Sequence, residues 1–158
     1  MNTHRYIARI ILEAETPLFV GSGEASLLKD ALVQKDFNGL PVIPGTALTG
    51  VLRHSIEDNI ETASKEKSIW NTIFGFQEGD KGLGSRLRIS SAYMMINENE
   101  VAEGLNPFID EKIKAKFDNL PSRQHVRIDH KGVATGGGLF DNEVVYKGAR
   151  FKFEIELI

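Results

Sequence analysis

Phe151, Phe153, Ile155 and Leu157 alternate with Lys152, Glu154 and Glu156, and no other pattern constrains the fold of this chain as strongly. Period-2 alternation puts the apolar side chains on one face of an extended segment and the charged ones on the other. Such a segment must pair in a sheet with one face covered. Tyr6, Ala8, Ile10, Leu12 and Ala14, alternating with Ile7, Arg9, Ile11, Glu13 and Glu15, predict a first, half-buried strand within residues 4–20. Pro17 turns its continuation into an edge or a bend, and Gly21-Ser22-Gly23 ends it. Residues 24–39 read as irregular or hairpin-like and close on the turn dipeptide Asn38-Gly39.

Helical spacing follows. Leu48, Val51, Leu52, Ser55, Ile56 and Ile60 recur on one face of a helix entered through Pro44-Gly45, with Thr46 as the expected N-cap. Ile69-Trp70 and Ile73-Phe74 form a second helical patch, broken by Gly75 and the glycines at 79–84. Residues 86–96 predict another strand, with Leu87, Ile89, Ser91, Tyr93 and Met95 on one face. A charged insertion over 97–120 carries a short helix near 110–117, and two hairpin arms flank the bend at 132–138. The order β–α–β–insertion–β predicts an α+β fold, an antiparallel sheet with a helix packed on one face.

At 158 residues the chain suits one domain better than two. No apolar run approaches the ~20 residues of a membrane span, and the N-terminal stretch lacks the apolar block of a secretory signal. A cytoplasmic protein with no membrane contact is expected. There is no cysteine, so disulfides and thiolate metal sites are excluded. The spacings of His4, His54, His125 and His130 suggest no zinc site. A net charge of -3 and a pI of 5.8 argue against general nucleic-acid affinity, so an RNA site here must be a local basic patch on an acidic body.

Three ordered blocks go further. Thr16-Pro17-Leu18-Phe19-Val20-Gly21-Ser22-Gly23, the loop from Asp30 to Asp36, and Gly39-Leu40-Pro41-Val42-Ile43-Pro44-Gly45-Thr46-Ala47-Leu48-Thr49-Gly50-Val51-Leu52-Arg53 form the first. Ile73-Phe74-Gly75 with Ser85-Arg86-Leu87-Arg88-Ile89-Ser90 form the second. The third joins Arg127-Ile128-Asp129, Gly137-Gly138-Leu139-Phe140-Asp141-Asn142-Glu143 and Gly148-Ala149-Arg150-Phe151. Together they resemble the RAMP superfamily, the RRM-like backbone subunits of type III CRISPR effector complexes.

That resemblance implies an RRM- or ferredoxin-like fold over 1–158, with residues 97–147 as an inserted β-hairpin thumb. Its last helix and strand would be lacking, so that a further chain is expected to complete the fold. It implies a CRISPR RNA-guided antiviral ribonucleoprotein subunit, with guide (crRNA) and target RNA and other effector subunits as partners. RNA-binding residues carried over are Gly21, Ser22, Gly23, Gly45, Thr46, Thr49, Arg53, Arg123, His125, Arg127 and Lys131. Thr49 stands where the family has a Lys, and Lys29 and Lys35 are expected to supply the missing charge. Ser91 stands where an Asp is usual.

Asp30 occupies the first Asp of the family's loop, the residue that cleaving relatives require. A carboxylate there can hold a divalent cation, Mg2+ or Mn2+, or align an attacking ribose hydroxyl. Endonuclease activity on target RNA therefore stays open against a solvated loop aspartate in a non-catalytic RNA-binding subunit. A protein-interaction module without RNA is the alternative of another class. Other residues have plainer readings: Arg53 can pair with Glu57 at i+4, Asp36 caps the Asn38-Gly39 turn, and Trp70 with Phe74 belongs to the core.

Overall fold

The computed structural model describes residues 4–27, 29–57, 65–106 and 108–158; the side chains of 57 and 65–68 are not described. Ile60 and the polar stretch 61–64 fall outside it. Strands β1 (Tyr6–Glu13) and β2 (Val42–Ile43) precede helices α1 (Gly45–Glu57) and α2 (Lys65–Phe74). Then come β3 (Phe76–Glu78), β4 (Lys81–Leu83), β5 (Leu87–Ile89), β6 (Ala92–Met94), α3 (Glu111–Asp118), β7 (Ser122–Ile128), β8 (Ala134–Glu143) and β9 (Arg150–Leu157). The main sheet has the order β1-β9-β6-β2, with β5 also pairing β9. The fold is α+β, as the periodicities predict.

The C-terminal strand holds the centre of this sheet. Its apolar face is buried at Phe151 (1% exposed) and Phe153 (7%). On one side β5 pairs with it antiparallel, Leu87 opposite Leu157 and Ile89 opposite Ile155. On the other, Arg9 Nε donates to Glu154 Oε1 at 2.7 Å and Arg150 Nε to Glu13 Oε2 at 2.8 Å. These two pairs run in opposite chain directions, so β1 is antiparallel to β9. Both are exposed and add little stability, but they select the register. The Glu13 carboxylate raises the Arg150 pKa, first by its hydrogen bond and then by its charge.

The strand β9 is paired on both sides, and β1 lies at one edge of the sheet. Tyr6, Ile7 and Ile11 are more than half exposed, so β1 is not the half-buried strand that its alternation suggests. A strand flanked on one side only leaves much of both faces to solvent. The single strand expected over 86–96 is interrupted at Ser90-Ser91 into β5 and β6. The antiparallel β3–β4 hairpin occupies the stretch read as a breaker; Gly79, with a positive φ of 57°, makes its turn.

The chain divides into two compact units, and each division falls within a strand. The first unit comprises residues 1–11, 43–92 and 152–158. In it, Gly45 opens α1 where a Cβ would lie 2.3 Å from the Ile89 carbonyl oxygen, so the glycine exists for close approach of the chain's own backbone. Helix α1 starts one residue before the expected N-cap. Thr46 is inside the first turn, and the Pro44 carbonyl accepts from the Ala47 and Leu48 amides at 3.0 and 3.2 Å. Val51, expected on the covered face, is 68% exposed.

The second unit comprises residues 12–42 and 93–151. Its core includes Val33, Leu40, Ala102, Phe117, Leu120 and Val145. Asp110 caps α3 by accepting from the Lys112 amide at 2.7 Å, one residue before the helix that the sequence placed there. Asp36 caps the Asn38-Gly39 turn as expected, taking the Asn38 and Leu40 amides on Oδ1 at 2.8 and 2.9 Å. The hairpin β7–β8 turns earlier than the expected bend at 132–138, because β8 already begins at Ala134, and its register is irregular between Val126 and Ile128.

Gly45→Ala should destabilise the protein by about 1–3 kcal/mol through overpacking. Gly50→Ala, in the same helix with nothing within 4 Å of its added Cβ, should stabilise it by about 0.5–1 kcal/mol. Urea midpoints of the two variants check both; equal shifts in the same direction would contradict the close approach.

Candidate functional site

Residues 29–33 lie along the base of the hairpin, held by isolated bridges and not as a strand. Ala31 pairs with Asn142 in a parallel bridge. The Ala31 amide donates to the Asp141 carbonyl at 3.3 Å, and the Glu143 amide donates to the Ala31 carbonyl at 2.9 Å. The next acceptor of a parallel ladder would be the Lys29 carbonyl, but that group already accepts from the Ser26 amide at 2.9 Å. Asp30 fills the gap: its Oδ2 accepts from the Asp141 amide at 2.8 Å. Its own amide donates back to the Asp141 carbonyl at 2.9 Å. The Asp30 side chain is exposed, and Oδ1 takes no hydrogen bond among the described residues. One oxygen is therefore structural, in a residue that is exposed as a whole.

Beneath this loop sits a buried charge. Glu143 is 3% exposed. Its Oε1 accepts from Lys29 Nζ at 2.8 Å, and its Oε2 accepts from the Val33 amide at 3.0 Å. Lys29 Nζ also donates to the Leu120 carbonyl at 2.7 Å. Lys35 Nζ donates to the Phe117 carbonyl at 2.6 Å, in the last turn of α3, where a cation meets the negative end of the helix dipole. The two lysines expected to supply phosphate charge are thus turned inward to hold the loop against α3 and β8. They line, with Ser22, Gln34, Asp118 and Glu143, a cavity of about 550 Å³. Glu24, Asp118 and Glu143 outnumber the two lysines among its lining residues, which makes it a poor pocket for an anion.

Gly21, Ser22 and Gly23 form the rim of that cavity's loop. Gly21 bridges Val33, and Gly23 has a φ of 81°. The Ser22 hydroxyl is committed, donating to the Leu32 carbonyl at 3.2 Å and accepting from the Glu24 amide at 3.1 Å. The basic cluster lies on the hairpin itself. Arg123 and Arg127 are exposed on β7, and Lys131 is exposed beside the turn. His125 stacks on its cross-strand neighbour Phe140, with centroids 5.1 Å apart and planes 14° from parallel. Asp129 shapes the turn, its Oδ1 accepting the Lys131 and Val133 amides at 2.8 and 3.0 Å.

Gly45, Thr46, Thr49 and Arg53 belong to the first unit. The Gly45 amide donates to the Ser91 hydroxyl at 3.3 Å, so one of the helix's unpaired amides is already capped. The Thr49 hydroxyl donates to the Gly45 carbonyl at 2.7 Å. Thr46 is exposed, and Arg53 is half-buried; its expected partner Glu57 has no described side chain.

Sequence reasoning missed Glu143 and Asp141 as parts of the site. Glu143 stood within a quoted motif, but nothing in the sequence signalled that it would be buried under residues 29–33. Among the described residues no three His, Asp or Glu side chains converge as metal ligands. Among those residues, too, no helix is long and apolar enough to cross a membrane.

The family model of the RAMP superfamily matches residues 11–158. No curated protein matches the sequence. Among solved structures, a chain of the type III-B Cmr-beta bound to cognate target RNA superposes with a TM-score of 0.67 at 15% identity, covering 96% of this chain and 84% of that one. A chain of the apo state of type III-B Cmr-beta gives 0.64 at 15% identity with the same coverages. A chain of a type IV-B CRISPR complex gives 0.57 at 16% identity, covering 98% and 73%. At these identities the likeness is one of fold.

Lys29→Ala should lower stability by about 3–5 kcal/mol, because it strands the Glu143 carboxylate without its cation. Chemical denaturation checks this. A loss under 1 kcal/mol would mean that Lys29 is a surface charge after all.

Proposed function

The chain belongs to the RAMP superfamily, and on that premise we propose that it is a subunit of a CRISPR RNA-guided effector ribonucleoprotein. In this reading it binds guide RNA and contacts target RNA, together with further effector subunits. The observation that carries the reading is the continuity of the second unit. An exposed hairpin bearing Arg123, Arg127 and Lys131 rises from the strand to which the Asp30 loop is fastened. A local basic arm on an acidic protein is what phosphate contact needs when the net charge is unfavourable. The His125–Phe140 stack offers a flat surface next to these cations, suited to a base or a ribose.

Asp30 is the proposed catalytic residue for target-RNA cleavage. In this proposal its Oδ1 accepts the proton of a ribose 2′-hydroxyl, whose oxygen attacks the adjacent phosphorus to form a 2′,3′-cyclic phosphate, while the 5′-oxygen departs and takes a proton from water. The fixed Oδ2–Asp141 bond restricts the carboxylate to one orientation, which limits the rotamers that must be ordered at the reacting geometry.

Two measurements test the reading. RNA retention by the purified assembly should fall with salt, and Arg123→Ala and Arg127→Ala should each lower the slope of log K against log salt by about one unit. An assembly without RNA and without salt-sensitive affinity would exclude the proposal. Asp30→Asn, which keeps an acceptor for the Asp141 amide but removes the charge, should abolish target cleavage with guide retention intact. Undiminished cleavage would remove Asp30 from the chemistry.

A further inference from the structure

Glu143 holds both ends of the segment that carries Asp30. One carboxylate oxygen takes the Lys29 ammonium, immediately before Asp30, and the other takes the Val33 amide, three residues after it. Its backbone amide donates to the Ala31 carbonyl between them. The Glu143 side chain is 4% exposed and that of Lys29 is 16% exposed, so water competes weakly for these bonds. Both side-chain partners are donors. Only a group with two acceptor oxygens satisfies both, and among side chains of this length that is an ionised glutamate.

We infer that Glu143 is the positioning residue for the Asp30 carboxylate. It fixes residues 29–33 on β8, and that placement in turn allows Asp30 Oδ2 to take the Asp141 amide. The inference rests on the reading of Asp30 given above. It adds that the basic hairpin and the reacting carboxylate are one mechanical unit, because Glu143 and Asp141 are residues of the hairpin's own strand β8. Any shift of that strand on binding RNA carries the Asp30 loop with it.

Glu143→Gln is nearly isosteric but replaces one acceptor by a donor, which then faces either the Lys29 ammonium or the Val33 amide. In the full assembly, this variant should raise amide hydrogen exchange at residues 30–33 and at the Asp141 amide at least tenfold. Target cleavage should lose at least tenfold in kcat, with KM and guide retention unmoved. Should Glu143→Gln fail to fold, Lys29→Met combined with Glu143→Met removes both charges together, so that neither is left buried alone. The same exchange and kcat changes are expected of it.

Unchanged protection of the Asp141 amide overturns the inference whatever cleavage does. Raised exchange with kcat unmoved overturns it as well. Asp30→Asn, run in parallel, separates the two ideas: wild-type assembly that cuts no target, or Asp30→Asn that cuts as well as wild type, sinks the reading of Asp30. Exchange at the Asp141 amide then alone decides whether Glu143 positions that side chain.

Discussion

The buried ion pair between Glu143 and Lys29 is the constraint on which the second unit depends. Taking two charges out of water is costly, and their attraction repays that only when the remaining bonds are also satisfied. Here they are: Glu143 meets Lys29 and the Val33 amide, and Lys29 also meets the Leu120 carbonyl. An apolar pair of equal volume could fill the same space. It could not specify which residues of an irregular loop lie against β8. The net worth of such a pair is therefore better understood as selection of one loop placement than as added stability.

The placement of Asp30 follows from that selection. Its carboxylate takes a ladder position that the Lys29 carbonyl would otherwise hold, because that carbonyl is turned to Ser26. A solvated loop aspartate and a functional one are thus not exclusive descriptions of this side chain. Asp30 has a structural oxygen and one that takes no hydrogen bond among the described residues, and an alanine substitution confounds the two. An asparagine retains the acceptor and separates them.

Glycines in the loops and helix starts divide in the same way. Gly45 answers to the close approach of the Ile89–Ser90 backbone of the chain itself. Gly23 answers to its positive φ. Neither residue needs an RNA phosphate to account for it, so the case for RNA contact rests on the exposed hairpin cations and on family membership rather than on glycine content.

Periodicity alone determined much of the fold. The alternation at Phe151–Leu157, the 3.6-residue spacing from Leu48 and the order of elements settled the α+β class, since side-chain periods of 2 and 3.6 are local properties of the backbone. The ordered motifs identified the superfamily. Local signals also located the Asp36 turn cap and the short helix after Asp110. Tertiary structure decided what no local pattern encodes. It made β9 central and β1 the edge, because strand order depends on which surfaces are covered. It turned Lys29 and Lys35 inward, because an ammonium group goes where acceptors remain unpaired, and those acceptors belong to residues 117, 120 and 143, far away in sequence. It made Glu143 the partner of the Asp30 loop for the same reason: a buried carboxylate needs two donors, and only folding brings Lys29 and Val33 to it.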